Sequence, residues 1–167
     1  MKKCARWISI VCIVTAADLI GIAGPAAAQG AKKPDPCALL TRAEIKAAVG
    51  QEVSEGKPNL NANPVVGSTC QYVVGSYGTF SILIKTARPE ENAGKVKAEL
   101  KKGNITVTDA AGIGDQSFYS SMGYGMIQLN TFKGSYYLII TMLVPESTEA
   151  AQKTAAEKLM RLALTRI

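Results

Sequence analysis

Strict alternation of apolar and polar residues fills the middle of this chain, and helical spacing brackets it. From 69 to 74, Cys70, Tyr72 and Val74 alternate with Thr69, Gln71 and Val73. From 79 to 85, Phe80, Ile82 and Ile84 share one side. With Gly75-Ser76-Tyr77-Gly78 between them, these two runs predict a β-hairpin. Further strands are predicted over 104–109, 116–120, 126–133 and 136–144. The last two flank a Gly134-Ser135 turn. The final run is apolar on both faces, with Tyr136, Leu138, Ile140 and Met142 on one and Tyr137, Ile139 and Leu143 on the other. That is the pattern of a central strand.

Three helices are predicted. The first follows Thr41, where Glu44 three residues on completes a capping box and Gly50 stands ready to end the helix. The second opens at Pro89, carries Ala93, Val96 and Leu100 on one stripe, and stops at Gly103. Its acids, Glu90 and Glu91, come first and its lysines last, as the helix dipole favours. The third begins at Pro145-Glu146-Ser147 and repeats Ala151, Ala155, Leu159 and Leu162 at helical spacing. Residues 51–68 are rich in Gly, Pro and Asn and read as a long loop. The expected architecture is α+β: an antiparallel sheet of about five or six strands with helices packed on one face, a two-layer sandwich.

The N-terminus changes this picture. Lys2, Lys3 and Arg6 precede a mostly apolar run from Trp7 to Gly24, and Pro25 is followed by Ala26-Ala27-Ala28. This is the plan of a signal peptide over 1–28, with cleavage before Gln29. The expected organisation is then a flexible linker over 29–36 and a single domain over 37–167, periplasmic or secreted. No stable membrane span is expected after cleavage. Loss of Lys2, Lys3, Arg6 and Asp18 removes three positive charges and one negative, so the formal charge falls from +6 to +4. That is weak attraction for an anionic partner, and export argues against nucleic acid.

Export also changes the cysteine count. Cys4 and Cys12 leave with the signal, and Cys37 and Cys70 remain as an even pair in an oxidising compartment. A structural disulfide is expected.

The chemistry available is narrow. There is no histidine, so the usual near-neutral base and the commonest metal ligand are both missing. Only one serine, Ser54, precedes a lysine of the mature chain, Lys57, by three residues. Asp109 and Asp115 flank a glycine turn, and Glu90-Glu91 fit a helix first turn better than a catalytic pair. Gly112-Ile113-Gly114-Asp115 lacks the lysine and the third glycine of a phosphate cradle. No catalytic residue, metal ligand or cofactor is therefore expected. What remains is recognition. Tyr119, Tyr124, Tyr137 and Ile139 are the candidate partner-binding residues, on a second sheet face expected to carry Leu129, Thr131 and Leu143 as well. The expected function is a non-enzymatic exported domain that binds an envelope protein or a small apolar ligand. Two alternatives are an inhibitor of an extracellular hydrolase acting through the 51–68 loop, and a carboxylate-dependent envelope enzyme.

Asp35-Pro36-Cys37-Ala38-Leu39-Leu40-Thr41 with Glu44-Ile45 and Gly50, then Cys70-Gln71-Tyr72 and Gly112-Ile113-Gly114-Asp115, resembles a group of small exported bacterial proteins. It is similar to the actinobacterial lipoprotein domain of unknown function with a "DPC-LLT" opening. The resemblance implies an exported α+β domain with a Cys37–Cys70 bridge. This chain lacks the lipid-attachment cysteine, and the family supplies no activity to carry over.

Overall fold

The computed structural model describes residues 34–167. The expected signal peptide and most of the linker lie outside the described residues. Those described form an α+β fold around one seven-stranded antiparallel sheet.

A 3-10 turn, Pro36–Ala38, leads into α1 (Arg42–Val49). Both halves of the capping box form: the Thr41 hydroxyl accepts from the Glu44 N–H, and the Glu44 carboxylate accepts from the Thr41 N–H. Gly50 closes the helix at φ 72°, where a side chain would be strained. The strands are β1 (Lys57–Asn59), β2 (Ser68–Val74), β3 (Gly78–Thr86), β4 (Thr106–Ala110), β5 (Gln116–Gly123), β6 (Met126–Lys133) and β7 (Tyr136–Leu143). Two more helices are α2 (Ala93–Lys102) and α3 (Glu149–Leu164).

The sheet order is β1-β2-β3-β7-β6-β5-β4. After β3 the chain leaves the middle of the sheet, reaches the far edge, and meanders back until β7 pairs with β3. The passage from β3 to the far edge contains α2 and must cross one face. This is why the helices do not share a face. One cluster joins Ile45 of α1 and Ala156, Leu159 and Met160 of α3 to Phe80, Ile82, Leu129 and Ile140. The other gathers Ala93, Val96 and Leu100 of α2 with Phe118, Phe132 and Tyr137. Successive residues of a strand point to opposite faces, so Leu138 and Ile140 belong to the first face and Tyr137 and Ile139 to the second. The expectation of helices on one face is corrected accordingly.

Two helices also start later than the proline positions indicate. Asn92, not Pro89, caps α2, with its side chain accepting from the Lys95 N–H at 3.0 Å. Thr148, not Pro145, caps α3. In both cases a capping side chain satisfies an otherwise orphaned N–H, and the proline sits in the preceding turn. The 51–68 segment is not structureless: it contains β1 and a bridge from Val53 to Val74. Cys37 and Cys70 are joined, with 5.1 Å between their Cα atoms and 33 positions of sequence between them. The bridge fastens the entry turn to β2.

Candidate binding surface

The second face is half covered. Cross-strand partners share a face, so register shows what each part of it carries. At the covered end, Phe132 and Tyr137 stack with centroids 4.3 Å apart. The Tyr137 hydroxyl donates to Asn130 Oδ1 at 2.7 Å, and the Asn130 amide donates to Ser120 Oγ at 3.1 Å. Ser120 donates to Gln128 Oε1, and the Gln128 amide donates to Thr141 Oγ1 at 3.1 Å. This chain of neutral groups runs from beneath α2 towards the open half. Beside it Lys85 and Glu91 pair at 2.7 Å with only 15% and 9% of their side chains exposed. Burial pushes the Glu91 carboxyl up, but the Lys85 hydrogen bond and the Arg88 N–H outweigh it and hold it below its ordinary value.

The open half lies over β2, β3 and β7. One row aligns Thr69, Leu83 and Ile139, the next Gln71, Ser81 and Thr141, and the last Val73, Thr79 and Leu143. None of these nine residues is charged. Val73 is 47% exposed, and Leu83, Ile139 and Leu143 are partly exposed. The β2–β3 and β5–β6 turns flank the Leu143 end of β7, because Thr79 pairs with Leu143 and Ile127 with Met142. The centres of the two turns lie about three strand spacings apart, roughly 14 Å. Each presents an exposed tyrosine, Tyr77 at 70% and Tyr124 fully exposed. Tyr124 holds φ 52° between Gly123 and Gly125, both also at positive φ. A two-residue hairpin turn with positive φ at both central positions favours Asn-Gly. Tyrosine there costs about 1–2 kcal/mol.

The four expected contact residues therefore separate. Tyr119 faces the other way, buried under α3, where its hydroxyl donates to Glu157 at 2.6 Å. Burial and then Glu157 push that phenol well above its ordinary value. Tyr137 is buried beneath α2, and burial raises its phenol likewise. Tyr124 and Ile139 remain reachable, on the turn and on the open half. Leu129 and Thr131 are buried on the first face, not the second. Their placement was readable: the Gly134-Ser135 turn pairs Lys133 with Tyr136, which carries Leu129 opposite Ile140 and Thr131 opposite Leu138. Val73 is on the second face as the alternation predicts, whereas Tyr77 and Leu83 are surface residues that the tyrosine-centred reading missed.

A groove of 660 Å³ runs along α2, lined by apolar Val96, Leu100 and Ile105 and rimmed by Arg88, Glu91 and Lys95. A second hollow of 450 Å³ lies between the start of α2 and the β4–β5 turn. Asp109 and Asp115 both line it, but each is engaged. Asp109 accepts from Lys97 at 2.7 Å, and Asp115 accepts from the Gly134 N–H at 2.7 Å and Lys133 at 3.1 Å. Those bonds hold both carboxyls below their ordinary values, the opposite of what a general acid needs. Among the described residues, no group of three or more acidic, histidine or cysteine side chains is placed to hold a metal. Also among them, no helix is long and apolar enough to cross a membrane.

No protein-family model, no curated protein and no solved structure matches this chain.

Proposed function

We propose that this is an exported, non-enzymatic domain that binds another protein of the periplasm or extracellular space through the open half of its second sheet face. The observation that carries this reading is the incomplete cover. α2 shields the β5–β6 side, while the uncharged surface of β2, β3 and β7 stays accessible with Val73, Leu83, Ile139 and Leu143 on it. Accessible apolar positions set among neutral hydroxyls and amides suit a contact patch. The Tyr77 and Tyr124 rings at one end add large contact area at low entropy cost. The Cys37–Cys70 bridge supports an exported location. The carboxylates support a structural role for themselves, because each is drawn towards its own cation. The test is photocrosslinking from position 73 or 83 in the native envelope. A discrete crosslinked protein, lost when Leu143→Glu is added, is the expected result. Equal labelling from an exposed position on α3, such as 158, rejects the surface.

One observation favours inhibition of an extracellular hydrolase instead. The 51–68 segment presents Leu60 and Val66 to solvent on a braced turn. There Asn61 accepts from the Asn63 N–H, Asn63 accepts from the Val65 N–H, and Pro64 accepts from the Thr86 N–H. A held loop with exposed apolar tips is the form such an inhibitor takes. Slow cleavage within 59–67 by broad-specificity proteases, with loss of their activity, would favour this reading.

A further inference from the structure

The two edges of the sheet are unlike. β1 ends one side with three residues, has Pro58 at its centre and opens with Lys57. Shortness, proline and lysine are the devices that stop an edge from pairing with another chain. β4 ends the other side with five residues, Thr106 to Ala110, without proline and in unbroken register with β5. Among the described residues it pairs with β5 alone. Its outward N–H and C=O groups over residues 106–109 therefore form a template for one more strand, while buried Ala110 already accepts from the Ser117 hydroxyl at 2.7 Å.

The surroundings of β4 select what fits. Lys97 and Lys101 are one helical turn apart on α2, on the flank beside β4. Lys97 reaches Asp109 of β4, and Lys101 is close enough to lower that carboxyl further. Lys101 has no carboxylate partner among the described residues, so the edge carries a net positive charge on this face. A second copy of the chain fits poorly. Antiparallel pairing of two β4 strands keeps both α2 helices on the same face and turns their Lys97 and Lys101 flanks towards each other.

We propose that the outer edge of β4 is a strand-addition site for an extended acidic segment of another protein, which pairs by main-chain hydrogen bonds and places carboxylates against Lys101 and Lys97. This mode takes affinity from the backbone and selectivity from alternate side chains. The site is separate from the open half of the second face, so either can fail alone.

The experiment uses the disulfide-bonded protein and two capped seven-residue peptides, one alternating Val with Glu and the other Val with Lys. Amide hydrogen exchange by NMR reads the site. The Glu peptide is expected to bind and slow exchange at outward amides within 106–110, with binding weakened by added salt. Lys101→Glu lies on an exposed helix face and should fold normally. It is expected to weaken the Glu peptide about tenfold, as reversal of an exposed charge contact allows, and to favour the Lys peptide. No binding of either peptide, equal binding of both, or protection confined to other strands overturns the proposal. So does a concentration-dependent dimer that protects 106–110 without peptide.

Discussion

Arg166 closes on Glu44 from 122 positions away, its two guanidinium arms 2.6 and 2.9 Å from the two carboxylate oxygens. The same guanidinium donates to the Leu39 carbonyl at 2.7 Å. A single side chain, two residues past the end of α3, thus ties down both the turn before α1 and the carboxylate of its capping box. The Arg166 hydrogen bonds, with the Thr41 N–H, hold the Glu44 carboxyl at about 2. A carboxyl lowered in the folded state contributes its stability above the unfolded-state pKa, about 4.3. That contribution is lost as pH falls from there towards 2. Thermal denaturation between pH 6 and pH 2 should show the loss, and Glu44→Gln should lessen it. An unchanged pH profile in Glu44→Gln would sink this account.

Thr41→Ala removes the other half of the same box. The expected cost is about 1 kcal/mol, the usual value for losing a helix cap, read from urea denaturation.

The disulfide is expected to contribute more than any single cap. Closing a loop of this length corresponds to about 3.5 kcal/mol on the chain-entropy account. Cys37→Ala with Cys70→Ala should lower stability by roughly that amount. Unreduced material from an oxidising compartment should show no titratable thiol at either position.

Tyr124 makes a prediction with two opposite signs. Its φ of 52° suits asparagine better than tyrosine. Tyr124→Asn should therefore stabilise the fold by about 1 kcal/mol while weakening partner capture. A variant that is less stable, or equally able to bind, removes Tyr124 from the contact surface.

Lys85 and Glu91 should behave as a half-buried pair. Glu91→Gln leaves the Lys85 ammonium near Tyr137 without its carboxylate. A loss of roughly 2–3 kcal/mol is expected, somewhat below that for fully buried pairs. Replacing both, as Lys85→Met with Glu91→Leu, should recover most of it, because the desolvation of both charges disappears as well. Parallel urea denaturation of the three proteins decides this.

The legible parts of the fold were those governed by local chemistry. The Thr41 box, the Gly50 stop and the Gly134-Ser135 turn each depend on residues only a few positions apart, and all three form. What was not legible is the route from β3 to the far edge. Nothing in residues 87–105 states which face α2 crosses, and that choice is what buries Tyr137 and leaves Val73 open. The proline positions misled for a related reason. Proline is compatible with a helix start without requiring one, whereas Asn92 and Thr148 satisfy specific N–H groups. The tyrosines could not be sorted by composition, since strand parity and cover decided their fates separately.

The strand order has a consequence for how the molecule is made. β7 is the last strand in sequence but sits at the centre, between β3 and β6. Until it is in place, β1–β3 and β4–β6 are two three-stranded fragments, each with an open inner edge. Their joining depends on contacts between distant parts of the chain, which form slowly and expose strand edges meanwhile. A chain that crosses a membrane N-terminus first would present β3 long before its partner arrives. Refolding should accordingly be slow, and most aggregation-prone before Tyr136–Leu143 docks. Weakening β7 at Ile140 would slow assembly of the sheet as a whole, and not merely loosen one strand of it.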